Sequence, residues 1–127
     1  MKRVIVDTSK FIDYSRTEKG VYLDLYELFV EGACELFIPT VVLTEFWAGK
    51  DMNRKSNIDR AEEIFSEIKR IDADEKITKL AGELIRKQFV LGFDAIIAAT
   101  ALSINAEIAT KNIKHFKKVP KLKLFQP

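Results

Sequence analysis

The sequence has few of the residues that cross-link a chain or bind zinc: 127 residues include one cysteine and one histidine. Cys34 has no partner for an intrachain disulfide, so nothing indicates an oxidising compartment, and a reducing cytoplasm is the expected location. A zinc site built from several cysteines and histidines is excluded by the same counts. Proline and glycine are also scarce, at three and five residues, and no linker or low-complexity tract divides the chain.

Long apolar runs are missing as well. The apolar run at the amino terminus covers only residues 4–6, which is too short for a signal peptide, so we expect no secretion. The run over residues 95–102 falls short of the roughly 18 residues that cross a bilayer, and it is interpreted as a core helix. We therefore expect a soluble protein without a membrane partner.

The composition is that of an ordinary globular protein, with 47% apolar and 31% charged residues. This length and composition predict a single domain over residues 1–127. The net charge is only +2, but residues 111–123 hold six lysines and no acid. Such a patch suits either phosphate binding or a solvated surface that protects an edge strand, and both interpretations stay open.

Strand and helix patterns alternate along the chain. Short apolar runs predict strands at 2–6, 34–38, around 71, 108–110 and 122–125. Helical stripes predict helices within 11–14, 21–29 and 41–48, across 61–68, from 74 to near 92, and from 94 to about 103. Thr40 is expected to cap the third of these helices, 50–57 to be a loop, and the last strand to lie at an edge. The alternation predicts a three-layer α/β fold, a parallel sheet with helices on both faces.

Two acids stand at the starts of helices. Asp7 follows the first strand and Asp94 opens the apolar segment. Each has an ordinary explanation, since a carboxylate caps a helix or favours its positive end by roughly 0.3–1 kcal/mol. Glu45 is different, because helical spacing places it inside the apolar arc formed by Val42 and Phe46. A carboxylate in that position needs a partner.

In parallel sheets the functional crevice lies beyond the carboxyl ends of the strands. If Asp7, Glu45 and Asp94 meet there, each pair at about 4 Å costs about 4 kcal/mol at an effective dielectric near 20. Either some of these acids keep a proton, or a cation lies between them. An all-oxygen set favours Mg²⁺ or Mn²⁺, and a lightly held ion of this kind acts on phosphates, which points to phosphodiester hydrolysis.

Four segments in order, "VIVDTSKFID", "TEFWAG", "DAIIAATAL" and "IATKNIKHF", resemble the PIN-domain ribonucleases, and especially the VapC-type toxins of toxin–antitoxin pairs. The resemblance covers nearly the whole chain. It implies a parallel sheet flanked by helices and Mg²⁺- or Mn²⁺-dependent endonucleolytic cleavage of RNA. It also implies a homodimer and a cognate antitoxin whose tail covers the acidic groove. The aromatic residues Tyr14, Tyr22 and Trp47 suit either such a partner surface or core packing.

The resemblance makes Asp7, Glu45 and Asp94 the catalytic, metal-binding acids. Ser9 stands where many members have Asn or Ser. Thr110 matches a hydroxyl that hydrogen-bonds the first acid, although a strand-end threonine also bonds nearby backbone.

The segment "TKNIKHF" departs from the family pattern, because members often carry a fourth acid here. Asn112 and His115 occupy the candidate positions. Asn112 offers an amide oxygen, but a loop or cap asparagine is the favoured interpretation. His115, beside Phe116, is expected to be a partly buried structural histidine rather than a general base.

Lys50, Arg54 and Lys55 follow the Glu45 helix and either steer the RNA backbone or belong to a solvated loop. Two other functions stay open. A receiver-like signalling module also gathers acids around Mg²⁺ at strand ends, although it needs paired acids after the first strand. A degenerate PIN fold that only binds RNA or protein would explain the missing fourth acid.

Overall fold

The computed structural model describes residues 1–17 and 20–126. The strands are β1 (Lys2–Val6), β2 (Cys34–Pro39), β3 (Lys69–Ile71), β4 (Glu107–Ala109) and β5 (Lys123–Leu124). The helices are α1 (Thr8–Thr17), α2 (Val21–Val30), α3 (Thr40–Trp47), α4 (Lys55–Phe65), α5 (Glu75–Arg86), α6 (Gly92–Ile104) and α7 (Ile113–Phe116), with a 3-10 helix at Lys50–Asn53. Each predicted strand is present, within one or two residues of its predicted position.

The strands form one parallel sheet in the order β3-β2-β1-β4-β5. β1 is the central strand, with Val6 opposite Ala109 of β4. The pairing continues past the end of β1, because the Asp7 amide donates to the Ala109 carbonyl at 3.0 Å. The residues that follow β1 and β4 therefore lie side by side at the carboxyl edge of the sheet. β5 lies at the edge, as predicted.

Both faces of the sheet are covered. Val4, Ile5 and Val6 of β1 are completely buried, and successive side chains of a strand point to opposite faces. Helices must therefore pack on each side, which confirms the three-layer α/β fold. α2 and α3 contact β2, while α6 contacts β1 and β4.

The apolar composition of α6 follows from its position. The helix contacts α5 and α3 as well as the sheet, and Ala95 and residues 97–101 are buried. A helix with neighbours on several sides has no polar face. In residues 1–17 and 20–126, no helix is long and apolar enough to cross a membrane.

Several local predictions were wrong. Thr40 is the first residue of α3 rather than its cap; Pro39 takes the cap position, and no side chain bonds there. Residues 50–57 are not a loop, since they form the 3-10 helix and the start of α4. α7 was not predicted, because four residues make one turn and carry no readable periodicity.

The strand order also decides against a receiver module. A receiver has the doubly wound order 2-1-3-4-5, whereas this sheet runs 3-2-1-4-5. Strand β1 is followed by a single acid, Asp7, and Glu45 lies inside α3. The receiver-like alternative is therefore wrong.

Candidate active site

Asp7 lies at the carboxyl end of the central strand and is buried, with 3% of its surface exposed. Its Oδ1 accepts a hydrogen bond from the Thr8 amide at 2.8 Å, and its Oδ2 accepts one from the Thr110 hydroxyl at 2.7 Å. A carboxylate has about four acceptor sites, so each oxygen keeps the capacity for a further partner. These two bonds fix the orientation of the carboxylate and leave further acceptor capacity on both of its oxygens.

Glu45 reaches the same edge of the sheet from α3. The Thr8 hydroxyl donates to Glu45 Oε1 at 3.2 Å, while the Thr8 amide donates to Asp7. One residue therefore connects the two carboxylates. The neighbouring Val42 and Phe46 are buried, and Glu45 is half-buried, as its place in the apolar arc predicted.

Asp94 lies in the first turn of α6, with 23% of its side chain exposed. Its Oδ2 is 2.7 Å from Nδ1 of His115 in α7. His115 is exposed, so the expectation of a partly buried structural histidine was wrong. The neighbouring Phe116 is the buried residue, and it packs α7 against the core while His115 faces Asp94.

The three carboxylates affect one another electrostatically. Burial raises the pKa of Asp7, against the lowering effect of the hydrogen bonds from Thr110 and Thr8, and the charge of Asp94 raises it further. Burial also raises the pKa of Glu45, and the charges of Asp7 and, to a smaller extent, Asp94 raise it further. The site therefore concentrates negative charge at this edge of the sheet.

This charge and these oxygen donors suit a hard divalent cation. The three acids do not form a closed metal site: across residues 1–17 and 20–126, no three histidine, cysteine or carboxylate side chains form a group that could hold a metal ion. The close approach of all three acids that we expected is therefore not reached. The donor chemistry fits Mg²⁺ or Mn²⁺, and the side chains must approach one another further to coordinate an ion.

The remaining predicted residues of this edge are in contact with it. The Ser9 hydroxyl accepts from the Lys111 amide at 3.2 Å, and the Thr110 hydroxyl accepts from the Asn112 amide at 2.9 Å. Thr110 thus makes both of the bonds considered from sequence, one to Asp7 and one to nearby backbone. Asn112 is exposed and precedes α7, but its side chain makes no cap hydrogen bond.

Lys50, Arg54 and Lys55 are exposed on the 3-10 helix and the start of α4. Lys55 forms an ion pair with Asp59 at 3.1 Å. An exposed pair of this kind contributes little free energy, so it leaves Lys55 able to meet another anion.

Sequence reasoning missed two contacts of the site. The bridging role of Thr8 was visible in part, since a hydroxyl directly after the strand-end acid is well placed to bond neighbouring groups. The Asp94–His115 pair had no local signal, because it joins residues 21 positions apart through the packing of α7 on α6.

Comparison with known proteins shows which family the chain resembles. The family model described as PIN domain matches residues 4–122. Ribonuclease VapC19 of Mycobacterium tuberculosis is 30% identical over 123 residues, which cover 93% of this chain and 95% of that protein. Ribonuclease VapC2 of Rickettsia felis is 34% identical over 92 residues, covering 67% of this chain and 69% of that protein.

The fold has a close match among solved structures. The crystal structure of VapBC2 from Rickettsia felis, bound to a DNA fragment from its promoter, contains a chain that superposes with a TM-score of 0.81. The two chains are 27% identical, and the match covers 97% of each.

Proposed function

The chain belongs to the PIN-domain family as a VapC-type ribonuclease, and we propose that it is the RNA-cleaving toxin of a toxin–antitoxin pair. We further propose that Asp7, Glu45 and Asp94 hold a Mg²⁺ or Mn²⁺ ion that hydrolysis requires. The observation that carries the proposal is the set of bonds around Thr8 and Thr110, which brings the buried Asp7 and the half-buried Glu45 to one edge of the sheet.

An ion held by these residues would supply Lewis-acid stabilisation of the phosphoryl oxygens and would lower the pKa of a bound water. The protein itself positions the three carboxylates. Asp7 is held between Thr8 and Thr110, so its carboxylate does not have to be ordered when substrate arrives. Asp94 is fixed by the buried helix behind it, and Glu45 by α3 and the Thr8 hydroxyl.

We propose that the binding of RNA depends on positively charged side chains. Lys50, Arg54 and Lys55 are exposed beyond α3, and we propose that they contact RNA phosphates. Cleavage and binding should then weaken as the salt concentration rises, because phosphate contacts release counterions.

The Asp7→Asn variant tests the proposed site. It keeps the size of the side chain but removes its charge, and we expect RNA cleavage with Mg²⁺ or Mn²⁺ to fall roughly a hundredfold or more, since a metal contributes several kcal/mol to the transition state. Asp74→Asn is the matched control, because Asp74 caps α5 and asparagine also caps helices. Equal cleavage by Asp7→Asn and the native chain would remove the assignment. No cleavage by the native chain itself would favour the degenerate, binding-only fold.

We propose an antitoxin partner on the basis of two observations. The solved relative is a complex of toxin and antitoxin with promoter DNA. In this chain a groove of about 490 Å³ is lined by tyrosines 14, 22 and 26, by Ile64 and by charged residues of α4. A small gene next to this one, whose product copurifies with the chain and blocks cleavage, would support an antitoxin; a product that leaves cleavage unchanged would oppose it.

A homodimer is also proposed. Trp47 has 37% of its surface exposed at the end of α3, whereas Tyr22 is buried and belongs to the core. Light scattering at micromolar concentration tests this, and a monomeric mass would argue against it. The cytoplasm stays the predicted location.

A further inference from the structure

Exposed apolar side chains flank the contact between Asp94 and His115. Leu91, Phe93 and Ile113 are all exposed, and each lies within three positions of one of these two residues. Single apolar side chains on a surface are ordinary, but several that gather at one place mark a surface that a ligand covers. The Phe93 ring is 49% exposed and belongs to the residue directly before Asp94.

Exposed lysines occupy the same region. Lys114 lies in α7, and Lys117 and Lys118 follow directly after it. Among the side chains that the structure describes, none of these three lysines has an ion-pair partner. Lys114 and Lys117 are three positions apart, so they are neighbours on the surface of the helical turn, which the buried Phe116 holds against the core. Their charges are therefore available to an anion from solution.

Hydrogen bonds attach this turn to the proposed site. The Asn112 amide at the start of α7 donates to the Thr110 hydroxyl, which itself donates to Asp7. Further along α7, Nδ1 of His115 lies 2.7 Å from Oδ2 of Asp94. The turn is thus joined to two of the three acids, and its lysines lie beside them.

The combination of lysines with an exposed aromatic ring favours single-stranded nucleic acid over a second protein. Lysine is depleted in protein–protein interfaces relative to the rest of a protein surface. Surfaces that bind single strands combine positive charge for the phosphates with aromatic rings on which unpaired bases stack. A duplex keeps its bases stacked inside the helix, so it offers no free base to the Phe93 ring.

We infer that α6 and α7 form a subsite for the RNA beside the cleaved bond, in which an unpaired base stacks on Phe93 and neighbouring phosphates bind Lys114 and Lys117. The inference rests on the proposed function. It adds a binding surface separate from the basic residues that follow α3, and it requires an unpaired nucleotide next to the cleaved bond.

Binding measured in a chelator tests the lysines apart from catalysis. Fluorescence anisotropy of a labelled single-stranded RNA of about 12 nucleotides, within the usual range of site sizes, gives the affinity of the full chain at several salt concentrations. The double variant Lys114→Gln, Lys117→Gln should bind more weakly, and its plot of log affinity against log salt should be shallower by about 1.4, as expected for two lost phosphate contacts. Lys76→Gln, Lys79→Gln is the matched control, because it removes the same charge at the start of α5, away from Asp94. Equal slopes for the two double variants would overturn the inference.

Two variants of Phe93 test the stacked base. Phe93→Leu keeps an apolar side chain without a ring, whereas Phe93→Trp keeps a ring. We expect the leucine variant to bind the single strand about tenfold more weakly, near the contribution of one stacked base, and the tryptophan variant to bind at least as tightly as the native chain. Binding of the corresponding duplex should be the same for all three proteins. An unchanged affinity for the single strand, or an equal loss for both RNAs, would contradict the stacking.

Light scattering on the same variants separates RNA binding from a contact between subunits. The mass of Phe93→Leu should equal that of the native chain, and a changed mass would assign Phe93 to a subunit interface and overturn the inference. Failure of the native chain to bind the single strand would overturn it as well. The Asp7→Asn cleavage test decides separately whether the proposed function stands, because RNA binding in a chelator does not depend on the ion.

Discussion

At the scale of single residues, Thr110 connects three segments of the proposed site. Its hydroxyl donates to Asp7 and accepts from the Asn112 amide, so one oxygen joins the end of β4 to the end of β1 and the start of α7. The bond to Asp7 stabilises the ionised carboxylate and opposes the effect of burial on its pKa. Thr110 thereby favours the ionised form of Asp7, which is the form that binds a cation.

Removing this hydroxyl should shift activity along the pH axis. In Thr110→Val the pKa of Asp7 rises further, so we expect the acidic limb of the pH–rate profile to move to higher pH. Cleavage near neutrality should fall roughly 10- to 100-fold. The profile of RNA cleavage against pH measures the change. Thr110→Ser keeps the hydroxyl and should retain the native profile; a profile that is unchanged in the valine variant would show that Thr110 does not act through Asp7.

Some residues of the site could be predicted from sequence and others could not. Glu45 was identifiable because its apolar neighbours give no local explanation for a carboxylate at that position. His115 was misread, because the burial of Phe116 says nothing about the direction of the preceding side chain in a one-turn helix. Its partner, Asp94, is set by tertiary packing, which no local pattern records.

At the scale of elements, prediction succeeded where a pattern was long or where an end had a specific cap. Asp74 was expected to start α5, and its Oδ1 accepts from the Ile77 amide at 2.9 Å. The apolar stripe of that helix was less accurate at its end, since Ile85 is 40% exposed. Periodicity gives the face of a helix, but the extent of the neighbouring surface decides which positions of that face are covered.

The cap of α5 gives a prediction about stability that is independent of activity. α5 and α6 are joined by residues 87–91 and pack together, so the start of α5 lies beside the end of α6, away from Asp94. Asp74→Ala should lower the free energy of unfolding by about 1 kcal/mol, because it removes the acceptor of the Ile77 amide. Urea denaturation measures the loss, and Asp74→Ser, which keeps a capping oxygen, is the control. An equal loss in both variants, or altered RNA cleavage, would contradict this account.

At the scale of the whole molecule, strand order determines the site. Sequence patterns identified the strands but not their neighbours, since hydrogen-bond partners in a parallel sheet are set by crossover connections. The order β3-β2-β1-β4-β5 puts Asp7 at the centre, beside Thr110 at the end of β4. Burial at that centre is the main reason that the pKa of Asp7 is raised.

The same burial predicts how the stability of the ion-free chain depends on pH. Folding raises the pKa values of Asp7 and Glu45 above their ordinary values of 3.8 and 4.5, so the fold favours their protonated forms. Their contribution to stability is therefore present below those values and is lost as pH rises through the raised values in the folded protein. In a chelator, ionisation of the two acids should destabilise the protein at neutral pH.

The double variant Asp7→Asn, Glu45→Gln isolates this contribution, because it lacks both charges but keeps the shapes. Urea unfolding in chelator should show the variant becoming more stable relative to the native chain as pH rises from about 4 towards 7. Mg²⁺ or Mn²⁺ should then stabilise the native chain and not the variant, since a ligand of the folded state shifts unfolding by mass action. A stability difference that stays constant over this range, or equal stabilisation of both proteins by the ion, would mean that these carboxylates neither repel one another in the fold nor bind the cation.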